Sequence, residues 1–258
     1  VVAVSFSAND YIGHHYGPDS LEIEDNLLRL DRILATLFDA IDASVGLDRT
    51  LVVLTSDHGT DLIPGARAEA GFDSGRHRAD ELVDFANQAM RQALGIDADL
   101  VEAFRNPGLY LNEGTIGKLG LTVSDVEKVL AAAIRSQPGF AGAFTRTSLL
   151  SGDIPNSPVG RQVAASFHPQ RSGNVVLVQS PYWYLYAHDD YSAMHGSPYD
   201  YDTHVPLMFA GPCVCPGRVL RPVAPRDIAP TIAAYVGVSM PSGSLGDPLP
   251  EVLCGKSQ

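Results

Sequence analysis

The sequence lacks an uninterrupted apolar run of the roughly 18 residues that a membrane-spanning helix needs, so its composition argues against a helical membrane span. Positive charge is also scarce. Eighteen Lys and Arg stand against 30 Asp and Glu, a formal net charge of −12. The clustered basic surface that nucleic acid requires is therefore not expected, and the acidic balance reads as a solvated surface. Cysteine is rare, with Cys213, Cys215 and Cys254 as the three. In "GPCVCPG" a single residue separates the first two thiols, where zinc knuckles carry about two to four. No second pair follows, which argues against a zinc ribbon. A disulfide from Cys254 to one of the other two is the expectation, against three unpaired thiols, and it would suit an oxidising compartment. There is no internal repeat, no low-complexity tract and no visible signal peptide. The chain opens inside the apolar run "VVAVSF" without a Met. It reads as a cut through a longer protein, with any leader in the missing part.

What is present suits a globular α/β protein. A length of 258 residues with 45% apolar content allows one large domain or two small ones. "VVAVSF" has the length and β-branching of a strand. Residues 20–42 predict a helix, because Ile23, Leu27, Leu30, Leu34, Leu37 and Ile41 recur at three- and four-residue steps. Pro18 stops any earlier helix, and Asp19 or Ser20 can cap this one. "TLVVLTSDHG" at 50–59 reads as a buried strand. Strand, helix, strand in that order implies a parallel sheet with a right-handed crossover. Residues 60–78 are Gly- and charge-rich without periodicity, which predicts a surface loop. Further helices are expected over 80–93, 122–136 and 224–238. Strands are expected at 108–113, within 173–186 and at 205–212. The fold expected is α/β, a mostly parallel sheet flanked by helices. Residues 1–79 and 182–258 would form the core, and 80–181 an inserted cap subdomain.

Three polar clusters sit at predicted strand ends: Asp10 with His14, Asp57 with His58, and His195 with His204. In open α/β sheets ligands bind at the carboxyl ends of strands, so such residues can converge from distant positions. The D-x-x-x-H of Asp10 and His14 is read as a loop, with Gly13 permitting a bend. Asp57 and His58 are strand neighbours and must turn at Gly59 to share a site. Oxygen and nitrogen donors without thiolates suit Zn²⁺ at a catalytic site, with Mn²⁺ as the looser alternative. One such motif alone would more simply be a loop cap or a surface residue. Three beside one predicted sheet are not so easily dismissed.

These residues resemble the alkaline phosphatase superfamily. "DYIGHHYGP" resembles its D-x-x-G-H-x-x-G-P element, above all in the type I phosphodiesterase/nucleotide pyrophosphatase branch and in phosphate-irrepressible alkaline phosphatases. "TSDHG" resembles the second metal motif, and "MHGSPYDYDTHVPLMFAGP" the third region. "APRDIAPTIAAYVGVSMP" is similar to the closing helix, and the likeness is thin between residues 75 and 181. The resemblance implies a metal-dependent hydrolase of phosphate esters with two divalent ions, most often zinc. It implies Asp10 and His14 on one ion with a further histidine, and Asp57 and His58 on the other. His195 is the preferred further histidine. His204, at the "x-VP" position, would contact substrate or serve as an alternative ligand. His15 is expected to face away, and His77, His168 and His188 to face solvent.

The same resemblance implies a further metal-binding Asp and a Thr or Ser nucleophile upstream of D-x-x-G-H. Only "VVAVSFSAN" precedes the motif, and neither Thr60 nor Thr203 stands in the expected context. The expected partner is thus the missing N-terminal segment of the same protein, besides a small phosphate-ester substrate. The chain alone is expected to be inactive. A periplasmic or secreted location is implied. A phospho-group transferase or mutase on the same metal site, or a non-enzymatic binding module, are the competing readings. Monoester and diester preference both stay open. Tyr191, Tyr199, Tyr201 and the "YWYLY" run could line a leaving-group pocket, although ordinary packing is the simpler reading.

Overall fold

The structure is a computed structural model that describes residues 1–186 and 191–253. In chain order the elements are α1 (Ala8–Tyr16), α2 (Leu21–Ser44), β1 (Val52–Thr55), α3 (Pro64–Glu69), β2 (Gly75–Arg78), α4 (Ala79–Leu94), β3 (Val101–Arg105) and β4 (Gly108–Leu111). They continue with α5 (Glu113–Lys118), α6 (Val123–Arg135), β5 (Phe140–Thr145), α7 (Arg146–Ser151), α8 (Pro158–Ser166), β6 (Val175–Gln179) and β7 (Trp183–Tyr186). Last come α9 (Asp200–Thr203), β8 (Leu207–Ala210) and α10 (Ile228–Val236). The chain divides into two compact units: residues 1–26 with 58–203, and residues 27–57 with 204–258.

The main core of the first unit is built on an antiparallel sheet ordered β3-β4-β6-β5. Helices α4 and α6 pack against it and against each other. On α6 the residues Val126, Leu130 and Ile134 are fully buried, because steps of four keep them on one face. Thr122 starts that helix by accepting the Asp125 N–H at 3.2 Å. Two buried polar side chains tie the sheet to the helices. Asn87 accepts from the Leu100 and Val101 amides and donates to the Val101 carbonyl. Glu127 accepts from the Thr147 amide and from the Asn174 side chain. Buried polar groups are tolerated when bonded in this way.

A second, two-stranded sheet pairs β2 with β7 in parallel, from Gly75 opposite Trp183 to Arg78 opposite Tyr186. Gly75 lies under the indole, and a Cβ there would stand 2.6 Å from the ring. His77 stacks on Phe140 and on Trp183, with centroids 4.3 and 5.0 Å away, and donates to the Pro138 carbonyl at 2.9 Å. It is half-buried, where full exposure to solvent was expected. Burial pushes its pKa below the usual 6.5.

The second unit pairs β1 with β8 in antiparallel register, Val52 opposite Ala210 and Thr55 opposite Leu207. Gly211 follows at φ 147, and a Cβ there would stand 2.5 Å from the Thr50 carbonyl oxygen. Helix α10 closes at Gly237, whose φ of 76 is left-handed. Its Thr231 is fully buried and accepts the Leu249 N–H at 2.9 Å.

Three expectations change. Residues 1–6 form no strand and are exposed. β-branching favours extended backbone, but a strand exists only where a neighbour takes its hydrogen bonds. With no first strand, the expected parallel crossover to β1 does not arise, and β1 pairs with β8 instead. Helices and strands still alternate in an α/β architecture, but among the described residues β2–β7 is the one parallel pairing. Nor are β1 and β8 buried as expected: their residues are half-buried or exposed. Finally, residues 60–78 are no featureless loop. They hold α3 and β2, and Asp61 is buried and ion-paired with Arg67. His188 lies outside the described residues.

Candidate metal centre

The opening motif is a helix, not a loop. Within α1, Asp10 and His14 stand one turn apart on the same face, and Nε2 of His14 lies 3.4 Å from Oδ1 of Asp10. The spacing D-x-x-x-H carried this signal. Gly13 is helical and buried, with room for no more than contact between a Cβ and Ile23. The helix ends at Gly17, whose φ is 91.

Two other histidines point at the same oxygen. Nε2 of His58 is 3.7 Å from Asp10 Oδ1, and Nε2 of His195 is 3.9 Å away. The His58 and His195 rings stack with centroids 3.3 Å apart. Asp10, His58 and His195 each offer one ligand atom, and all three lie within 4.8 Å of one another. Two donors each about 2.1 Å from a tetrahedral ion stand about 3.4 Å apart. The observed separations are of that size, so the donor set fits a divalent cation.

The proton positions support the fit. Nδ1 of His14 meets the Ala193 carbonyl at 2.7 Å, and Nδ1 of His58 meets the Gly59 carbonyl at 3.1 Å. A carbonyl only accepts, so in each ring Nδ1 carries a proton. Nε2 is the nitrogen turned to Asp10. Metal-binding histidines use their second nitrogen in this way to fix tautomer and orientation. Tyr191 covers His14 with centroids 4.5 Å apart, and the Ser192 and Ala193 amides both donate to the His14 carbonyl.

His15 is exposed, as expected. The four residues Asp10, His14, His58 and His195 gather about one carboxylate oxygen, so their distances do not divide them between two ions. Asp57 and His204 belong to the second unit and are exposed there, two residues after β1 and three before β8. The tyrosines are held by packing. Tyr184 donates to the Asp61 and Leu62 carbonyls, Tyr199 to that of Gln179, and the Tyr201 oxygen accepts the Tyr182 amide. Burial pushes the Tyr201 phenol up to about 12. Thr60 is not poised as a nucleophile, since its hydroxyl donates to the Met194 carbonyl at 3.1 Å. Cys213 is an exposed free thiol, Cys215 is in a disulfide, and Cys254 lies outside the described residues.

Residues 1–202 match the family of type I phosphodiesterases/nucleotide pyrophosphatases. The chain belongs to that family. Alkaline phosphatase PafA of Elizabethkingia meningoseptica is 29% identical over 252 residues, covering 98% of this chain and 45% of PafA. A Myroides odoratus protein named a calcium-transporting ATPase is 32% identical, over 98% of this chain and 46% of that protein. The crystal structure of wild-type PafA superposes with a TM-score of 0.86, covering 95% of this chain and 46% of PafA. The fold is therefore alkaline phosphatase-like, and the chain spans about half the length of the curated relatives it matches. Sequence reasoning found the family and the clustered histidines. It named Tyr191 only as a pocket residue and missed its stacking on His14 and the 192–193 amides, whose roles depend on a loop that carries no spacing signal.

Proposed function

We propose that this chain supplies the metal-binding part of a phosphate-ester hydrolase, acting on monoesters or diesters. The observation that carries the reading is the convergence of three Nε2 atoms on Asp10 Oδ1 in a chain of the phosphodiesterase family. Asp10, His14, His58 and His195 would hold Zn²⁺, or Mn²⁺ in its place, with Asp57 as a further ligand and His204 at the substrate or as an alternative ligand. The bound cations would activate an oxygen nucleophile and neutralise charge on the phosphoryl and leaving oxygens. The chain's own residues do the positioning. The backbone carbonyls of residues 59 and 193 hold the His58 and His14 tautomers, and the His58–His195 stack fixes two rings together. The nucleophile, a Thr or Ser, would come from outside these 258 residues. Support for this is the engaged hydroxyl of Thr60 and the 45% coverage of PafA. Residues 80–181 would be a cap subdomain, supported by a core cluster drawn almost wholly from that stretch. A periplasmic or secreted location is supported by the disulfide at Cys215.

The test is hydrolysis of p-nitrophenyl phosphate with added Zn²⁺. The 258-residue chain should show no turnover above an Asp10→Ala control, and a form extended upstream should gain it. Turnover at enzymatic rates by the 258-residue chain would contradict the assignment of the nucleophile.

A further inference from the structure

One buried carboxylate near the metal centre is not explained by the ligand set. Asp202, in α9, is 4% exposed. Its Oδ2 accepts the Ser197 N–H at 2.7 Å, and the Ser197 hydroxyl is within hydrogen-bonding reach of the same group. Its Oδ1 is buried and has no hydrogen-bond partner among the described residues, although the Gly196 amide also acts on the carboxylate. Leaving a carboxylate oxygen buried in this way costs stability, so the position does something other than fill the core.

The loop it grips begins at His195. Gly196 turns the chain at φ 104, and Ser197 is the next residue. Holding the Ser197 amide therefore fixes His195 two residues back. The backbone of the same residue grips a second segment of the site, because the Asp202 carbonyl accepts the Gly59 N–H at 2.8 Å. Gly59 is the residue whose carbonyl orients the His58 ring. The fit is tight, and a Cβ at 59 would run into the Tyr201 carbonyl oxygen. One residue thus anchors the segments carrying both stacked histidines, 137 positions apart in sequence (195 − 58). The carboxylate also lies within electrostatic range of His58, where a negative charge favours a bound cation.

We propose that Asp202 is a positioning residue for the metal centre. Its carboxylate locks the His195 loop and its carbonyl locks the turn after His58, so that both Nε2 atoms reach the ion together. The proposal rests on the metal-site reading above. It separates Asp202 from the ligands, since Asp202 reaches the ion only through the histidines.

The experiment is a chelator-competition titration of the 258-residue chain with Zn²⁺, together with the visible absorption of its Co²⁺ form. Asp202→Ala should weaken Zn²⁺ binding about 10- to 100-fold, the range for groups that orient metal ligands, and alter the Co²⁺ spectrum. Asp202→Asn keeps an acceptor for the Ser197 amide and should recover most of that loss. Glu127→Gln, in α6 beside the four-stranded sheet, should lower thermal stability with the affinity and spectrum unchanged. Unaltered affinity in Asp202→Ala overturns the proposal, as does an equal loss in Glu127→Gln. If Asp202→Ala does not fold, Ser197→Ala carries the test. A three- to tenfold loss supports the assignment, and an unchanged affinity overturns it. If the unsubstituted chain binds no Zn²⁺, the metal-site reading itself fails and this inference with it.

Discussion

The four-stranded sheet with α4 and α6 and the unit holding β1 and β8 treat apolar side chains in opposite ways. In the first, Met90, Leu100, Leu109, Leu130 and Ile134 are fully buried. In the second, Leu28 is 56% exposed, Ile33 52%, Met208 60% and Leu220 83%. Both regions have apolar periodicity in sequence, but beyond Ile23 the stripe of α2 is at most half-buried, with Leu27 49% exposed, and Leu28 and Ile33 lie off it. Periodicity specifies which face a helix offers, but burial depends on what that face meets. The sheet region, from α4 to β6, meets its own strands within residues 79–179. The second unit buries Ala233, Leu249 and Val252 but leaves the apolar side chains named above exposed among the described residues.

The largest effect should come from deleting a core side chain in the well-buried region. Leu130→Ala should cost about 2–5 kcal/mol in chemical denaturation. Leu28→Ala, the same chemistry on the exposed face, should cost less than about 0.5 kcal/mol. Similar costs for the two would break the comparison. A smaller effect, dependent on pH, is expected at His77. Burial lowers its folded pKa, so the unfolded chain binds the proton more readily than the folded one. Its stabilising neutral form is complete above the unfolded value of 6.5 and is lost as pH falls below it. The thermal midpoint of the unsubstituted chain should therefore exceed that of His77→Phe by less at pH 5 than at pH 7.5. A gap that holds constant or widens on acidification contradicts the buried placement. The smallest effect belongs to the second unit's Arg221–Glu251 pair, which is solvent-exposed. Arg221→Ala should leave the thermal midpoint unchanged, because exposed ion pairs contribute little. A clear drop would show that this unit is held more tightly than its exposure suggests.

How far the sequence could be read follows the same division. Helices α4, α6 and α10 were legible from local signals: periodicity, the Thr122 cap and Gly237. Asp10, His14, His58 and His195 were legible as candidates from their motifs. The helical state of residues 8–16 was not, because Gly13, Gly17 and Pro18 suggested a loop while the i, i+4 step from Asp10 to His14 pointed the other way. Strand β2 was hidden, because "GRHR" has no apolar alternation and is a strand only through β7, more than 100 residues later. The "VVAVSF" run failed for the converse reason, having strand composition and no partner among the described residues. Asp202 could not have been singled out, since its role comes from what lies behind it in space.

The central claim is that Asp10 is the oxygen about which the histidines organise a cation, and zinc stoichiometry and affinity test it most directly. The 258-residue chain should bind at least one equivalent of Zn²⁺. His15→Ala, at an exposed neighbouring position, should bind the same amount with the same affinity, and Asp10→Ala should lose most of the bound metal. Binding that survives unaltered in Asp10→Ala, or less than one equivalent in the unsubstituted chain, would contradict the account.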